Sequence, residues 1–295
     1  MPVEMLADYA CVVGENPLWH PERRALYWTD IPAGRLFAYV PDTGRHGPCY
    51  EGRPVGGFTL EADGAWLLFR DRGNVVRFRD GAPEETVIAA IPGLESTRFN
   101  DVIADPRGRV YAGTMSHGGG ANGHLFRIDP DGSWRVVSRG YGTPNGMGFS
   151  PDGRTLYFTD SRRRRIYAFA YDAETGELAG RRLLVETSES EAKTIGKSDG
   201  MTVDAEGMLW SARWDGGHIL RLDPQGRILT RIPMPARKIS SVAFGGDTLE
   251  DLYATSAGGD AKATEGAAAG ALFRLRPGVR GRPEFRSRMG EGTEA

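Results

Sequence analysis

One phrase returns six times along this chain, and its recurrence restricts the fold more than any other property of the sequence. The segments "ENPLWHPERRALYW", "GGFTLEADGAWLL", "NDVIADPRGRVYA", "NGMGFSPDGRTLYF", "DGMTVDAEGMLWSA" and "SSVAFGGDTLEDLYA" share one pattern. A leading residue is followed by a short apolar stretch, a turn, and a strand carrying Leu-Tyr or Leu-Trp. The leading residues are Glu15, Gly56, Asn100, Asn145, Asp199 and Ser240, and eight positions later stand Arg23, Gly64, Gly108, Gly153, Gly207 and Thr248. The aromatic landmarks Tyr27, Trp66, Tyr111, Tyr157, Trp210 and Tyr253 recur roughly every 40 to 50 residues, the period of a four-stranded propeller blade.

After each such strand comes another of alternating apolar and polar residues, ending at Asp, Pro or Gly, as in "HLFRIDPDG" and "HILRLDPQG". That is the pattern of half-exposed antiparallel strands. No segment of ten or more residues has a helical period. The expected fold is therefore all-β: a six-bladed propeller of four-stranded antiparallel blades with a central metal site. No blade can bury both faces alone, so residues 1–295 are expected to form one domain. The segment "EMLADYACVV" reads as a strand that pairs with the last blade, residues 240–277, and closes the ring. Residues 279–295 are charged and Gly-rich, and a partly flexible tail is expected there.

The 295 residues carry a net charge of −2, which gives no reason to expect nucleic acid or a membrane surface as a partner. No apolar run approaches the ~18 residues of a membrane span. The N-terminal stretch has no basic segment followed by an apolar core, and the only thiols are Cys11 and Cys49. A cytoplasmic protein, monomeric or weakly homo-oligomeric, with free thiols is the expectation.

In a propeller the innermost strand of each blade lines the central channel. Residues at one register therefore form a ring near one mouth. Glu15, Asn100, Asn145 and Asp199 bring two carboxylates and two amide oxygens to that ring, while Gly56 and Ser240 leave room. Such a set suits a hard divalent cation, Ca²⁺ first, with Mn²⁺ or Mg²⁺ as alternatives, and a three-ligand site completed by waters also accepts Zn²⁺ or Fe²⁺. Asn and Asp are also ordinary turn formers. Four oxygen donors in one register, including a Glu with no turn role, favour the ligand reading.

The phrases "GENPLW", "RFNDVIADPRGRVYAGTM", "PNGMGFSPDGRTLYFTDS", "SDGMTVDAEGMLWSARWDGGHILRLDP", "SSVAFGG" and "GALFRL" occur in that order over almost the whole chain. This ordered set resembles the SMP-30/gluconolactonase/luciferin-regenerating (regucalcin-like) family. The resemblance implies a divalent metal held by Glu15, Asn145 and Asp199, with substrate bound by Arg98 and Asn100. It also implies hydrolysis of a sugar lactone (glucono-, xylono-, arabinono- or galactonolactone), with Asp199 as catalytic acid/base. Asp101 is grouped with the substrate-binding residues as a support for Arg98 or the metal shell, a plain turn role being the alternative. The loop after "AGTM" reads "SHGGGANG", a departure from regucalcin, so no substrate contact is carried over to it.

Other features weigh less. His117 and the 118–122 loop could touch substrate, but an exposed loop histidine is the more ordinary outcome. The run Arg162–Arg165 reads as a solvated hairpin tip. No "GxSxG" elbow is present to support a serine hydrolase. Two rival functions remain: hydrolysis of another ester-like substrate (a non-sugar lactone or an organophosphate), and a non-catalytic calcium-binding regulator. An apolar pocket around Phe58, Trp214 and Phe244 would favour the first.

Overall fold

A computed structural model of the chain describes residues 1–116, 120 and 122–290. His117 and most of the 118–122 loop thus lie outside the described residues, as do residues 291–295. The strands form six four-stranded sheets. The sheets are antiparallel throughout, and each innermost strand touches the innermost strands of both neighbouring blades, so the ring is closed. The all-β six-bladed propeller expected from the repeat is the fold observed.

Closure follows the expected route. Strand Glu4–Asp8 pairs antiparallel with Ala271–Leu275, so the last blade takes its outermost strand from the start of the chain. Between adjacent blades lie six apolar cores, and each repeat aromatic sits in one of them. Tyr27 of the first blade meets Trp66 of the second at 4.5 Å between ring centroids. The repeat landmarks are thus the residues that cement blade to blade.

The turns explain themselves locally. In Asp105–Gly108 the Asp105 carboxylate accepts from the backbone N–H of Arg107 and Arg109, and Gly108 takes a positive φ of 83°. The same carboxylate-to-backbone pattern recurs at Asp204 and Asp223. These are Asx turns closed by glycine, which is why the phrase carries Asp and Gly at fixed spacing.

Among the described residues two short α-helices, the second preceded by a 3-10 turn at Gly259–Ala261, interrupt the β pattern. The helix Glu189–Ile195, here α1, opens with a capping box: Ser188 Oγ accepts from Glu191 N–H at 3.2 Å, and Glu191 accepts from Ser188 N–H at 2.9 Å. The Ser-x-x-Glu spacing was the available signal for it. Residues Lys262–Glu265 form a single turn near the closing strand. Among the described residues no helix is long and apolar enough to cross a membrane.

Residues 279–290 run across the mouth opposite the repeat register. Ser287 is fully buried and Met289 joins the core between the second and third blades. Backbone bonds tie this strap to four separate blades, through Leu60, Leu249, Ala205 and Pro130. Arg286 pairs with Glu22, and Arg282 donates to the Ser150 carbonyl at 3.2 Å. Charge and glycine made this segment look loose, but its arginines have partners waiting on the blades. Cys11 and Cys49 are both free, and burial pushes each thiol up to about 12.

Candidate active site

Each innermost strand breaks its pairing register at the repeat position. The irregularities fall at Glu15/Leu18, Val55/Gly57, Phe99/Val102, Asn145/Met147, Ser198/Met201 and Ile239/Ser241. Six bulges at one level make a ring, and a bulge re-aims side chains. The inner strands also approach one another closely here. A Cβ on Gly56 would lie 1.9 Å from the Phe99 carbonyl oxygen, and one on Gly146 would lie 2.4 Å from that of Asp199. Glycine at these positions is demanded by backbone against backbone.

Above the bulges is a cavity of about 490 Å³. Glu15, Asn100, Asn145 and Asp199 all line it, so the four residues of the sequence register do converge, together with Arg98. They are 6%, 7%, 4% and 4% exposed respectively, which sets two carboxyl groups and two amides, largely buried, in the cavity wall. Asn145 Nδ2 donates to Asp199 Oδ1, and Ser161 Oγ donates to the same oxygen at 3.1 Å. Arg98 donates to Asn100 Oδ1 at 2.7 Å and to the Phe99 carbonyl at 2.9 Å. Asn100 in turn donates to the Pro144 carbonyl at 2.7 Å, joining the third blade to the fourth.

Neither Glu15 nor Asp199 has an ion-pair partner within 4 Å among the described residues. Burial is the main reason both carboxyls are held well above the usual range; for Glu15 the charges of Asp199 and Asp101 add to it. Arg98 is lowered to about 10 by burial, against the pull of Glu15 and Asp199. Two buried acids with no direct ion-pair partner are costly as they stand. A divalent cation removes that cost, and an all-oxygen set of carboxylates and amides is the donor chemistry that Ca²⁺ and similar ions accept. Among the described residues no group of three or more His, Cys, Asp or Glu could hold a metal, so any such site depends on the amides. The residues present fit the group.

Asp101 is placed elsewhere. It lines a separate chamber of about 50 Å³ beneath the bulges, with Asn16, Ser241 and Glu284 of the strap. Burial and the Glu284 charge push its carboxyl up to about 7. The physical reason is strand geometry: adjacent residues point to opposite faces, so Asn100 faces the cavity and its neighbour faces away. Asn16 obeys the same rule. It takes φ 50° and bonds both the N–H and the carbonyl of Phe58, at 3.0 and 3.2 Å. Phe58, Trp214 and Phe244 line three different cavities, so they build no common apolar pocket.

Residues two positions before the register also reach the cavity: Val13, Arg98, Thr143 and Lys197. Only Arg98 was singled out from sequence, although the two-residue strand period applied equally to the others. Ser161, Arg162, Met115 and Trp214 complete the lining. Arg162 thus belongs to the cavity rim rather than to a purely solvated tip, while Arg163, Arg164 and Arg165 pair with Asp160, Glu189 and Glu186. Arg213, buried, braces the strand bearing Asp199 by donating to the carbonyls of Ile195 (2.9 Å) and Gly196 (2.7 Å) and to Ser198.

Residues 13–258 match the family model described as SMP-30/Gluconolactonase/LRE-like region. The chain is 48% identical over 295 residues to pentonolactonase XacC of Haloferax volcanii, covering 97% of this chain and 98% of the relative. It is 35% identical over 274 residues to 6-deoxy-6-sulfogluconolactonase of Pseudomonas putida, covering 92% and 93%. The crystal structure of a calcium-binding protein, regucalcin, from Agrobacterium tumefaciens superposes with a TM-score of 0.88 at 26% identity, covering 97% of each chain. With its bulge ring, its converging oxygen donors and a match over most of its length, the chain belongs to the SMP-30/gluconolactonase/LRE-like family.

Proposed function

We propose that this protein is a metal-dependent hydrolase that opens five- or six-carbon sugar lactones to their aldonic acids. The observation carrying this reading is the meeting of Glu15, Asn145 and Asp199 with Arg98 and Asn100 in one cavity. Similarity to a pentonolactonase and a sulfogluconolactonase supports the substrate class. The calcium-binding relative supports a divalent ion. Glu15, Asn145 and Asp199 would hold that ion, with Asn100 beside them. When bound, the ion acts as a Lewis acid toward the lactone carbonyl.

The chain's own groups supply the rest. Ser161 and Asn145 both occupy Asp199 Oδ1, and Oδ2 makes no hydrogen bond among the described residues. That second oxygen is left to take the proton of the attacking water. The water oxygen bonds to the carbonyl carbon, the ring C–O bond breaks, and the same proton passes to the departing ring oxygen. Arg98, fixed by Asn100 and the Phe99 carbonyl, offers its remaining N–H groups to sugar hydroxyls or to the developing oxyanion.

The test is acid release from a panel of xylono-, arabinono-, glucono- and galactonolactones, with and without chelator. Hydrolysis above background that chelator and Asp199→Asn both abolish is the expected result. Equal rates for wild type and Asp199→Asn would overturn the proposal.

A further inference from the structure

Lys197 and Arg162 stand on neighbouring blades at the rim of the cavity, one or two residues from the touching pair Ser161 and Asp199. Lys197 is opposite Trp214 in the strand pairing. Among the described residues neither forms an ion pair, although every other member of the Arg162–Arg165 run does. Arg162 is also accommodated closely, since a Cβ on Gly142 would lie 2.6 Å from its Cβ. Once the two buried carboxylates are balanced by a divalent cation, Arg98, Arg162 and Lys197 remain as three positive charges around one cavity. The volume, about 490 Å³, exceeds what a bare five-carbon lactone fills.

We propose that Arg162 and Lys197 form a subsite for an anionic group on the lactone, carried on the carbon farthest from the reacting carbonyl. This rests on the hydrolase reading above. It extends the substrate class to lactones bearing a terminal carboxylate or phosphate. Arg162 presents the planar fork that matches such oxyanions, and Lys197 adds a compact charge. Both are specificity-determining residues, and the reacting bond stays with Asp199.

The experiment compares kcat/KM for matched pairs with the purified, metal-loaded protein. D-glucaro-1,4-lactone, with a free carboxylate, is set against D-glucono-1,4-lactone. 6-Phospho-D-glucono-1,5-lactone is set against D-glucono-1,5-lactone. The ratio within each pair is the readout. In wild type we expect the anionic member to be favoured by about fivefold or more, an advantage that shrinks with added salt. Arg162→Ala and Lys197→Gln should each lower the ratio severalfold, and Arg162→Lys should largely restore it. The carboxylate and phosphate pairs tell apart the two kinds of anion, and a preference in either supports the subsite. Hydrolysis of the neutral members with no anionic preference, or an unchanged ratio in both variants, would overturn the subsite alone. No hydrolysis of any member would overturn the hydrolase reading itself.

Discussion

Ser161 Oγ donates to Asp199 Oδ1 at 3.1 Å, across 38 residues of sequence and from one blade to the next. The bond acts on the carboxylate that the proposed mechanism uses as its base, and it lowers that group's pKa against the upward push of burial. Ser161→Ala is therefore expected to raise the pKa of Asp199. The acid limb of the kcat/KM profile should move to higher pH, with the loss at low pH greater than at pH 8. A pH–rate series on both proteins with one lactone checks this.

Replacing the base should be more severe. Asp199→Asn keeps the size of the side chain and removes its proton-accepting charge, so turnover should fall by at least about 10²-fold. In chelator the same variant should melt no lower than wild type, because it removes a carboxyl whose burial outweighs the help of its neighbours. Initial rates and thermal melts of the same preparation separate chemistry from folding.

Divalent ion binding should appear as a rise in melting temperature that grows with ion concentration. Protons compete for Glu15 and Asp199, both held well above the usual carboxylate range without metal. The apparent affinity for Ca²⁺ is thus expected to fall as pH drops from 8 to 5. Glu15→Gln should remove most of the melting shift. Calorimetric titration at the two pH values gives the comparison.

The strap carries its own pH dependence. Burial raises the Glu284 carboxyl, as it raises Asp101 to about 7. A raised acid gives stability that is complete below its unfolded value, about 4, and is lost as pH climbs through the folded value. Between pH 5 and 8, wild type should therefore lose more stability than Glu284→Gln, and the variant should be the more stable at pH 8. Denaturant melts in chelator at the two pH values measure the difference.

Met289→Ala tests the strap as a structural element. Its side chain is buried between the second and third blades, so truncation should cost about 2 kcal/mol. A loss near zero in urea melts would mean that the strap does not pack as described.

The repeat made blade number, closure and four cavity residues legible because they depend on local periodicity and register. What stayed hidden depended on direction or on distant partners. Asp101 was grouped with Asn100 because they are neighbours, yet the bulged strand sends them to separate chambers. Lys197 and Thr143 obey the two-residue period that links Arg98 to Asn100, but neither type announces a site. Arg162 was lost among arginines whose partners only the fold reveals. The strap looked loose because Glu22, Leu60 and Ser150 are far from it in sequence.

The pairing of Glu4–Asp8 with Ala271–Leu275 also means that the last blade is completed by the first residues of the chain. A growing chain can stack the early blades as they emerge, but its first strand has no partner until residue 275 is made. Until then the last blade lacks its outer edge, although its inner strand, Ile239–Gly245, can already pack on the strand that bears Glu15. The cavity residues all come from the two innermost strands of their blades and the loops beside them, so the N-terminal strand secures the finished blade without touching the proposed ion site.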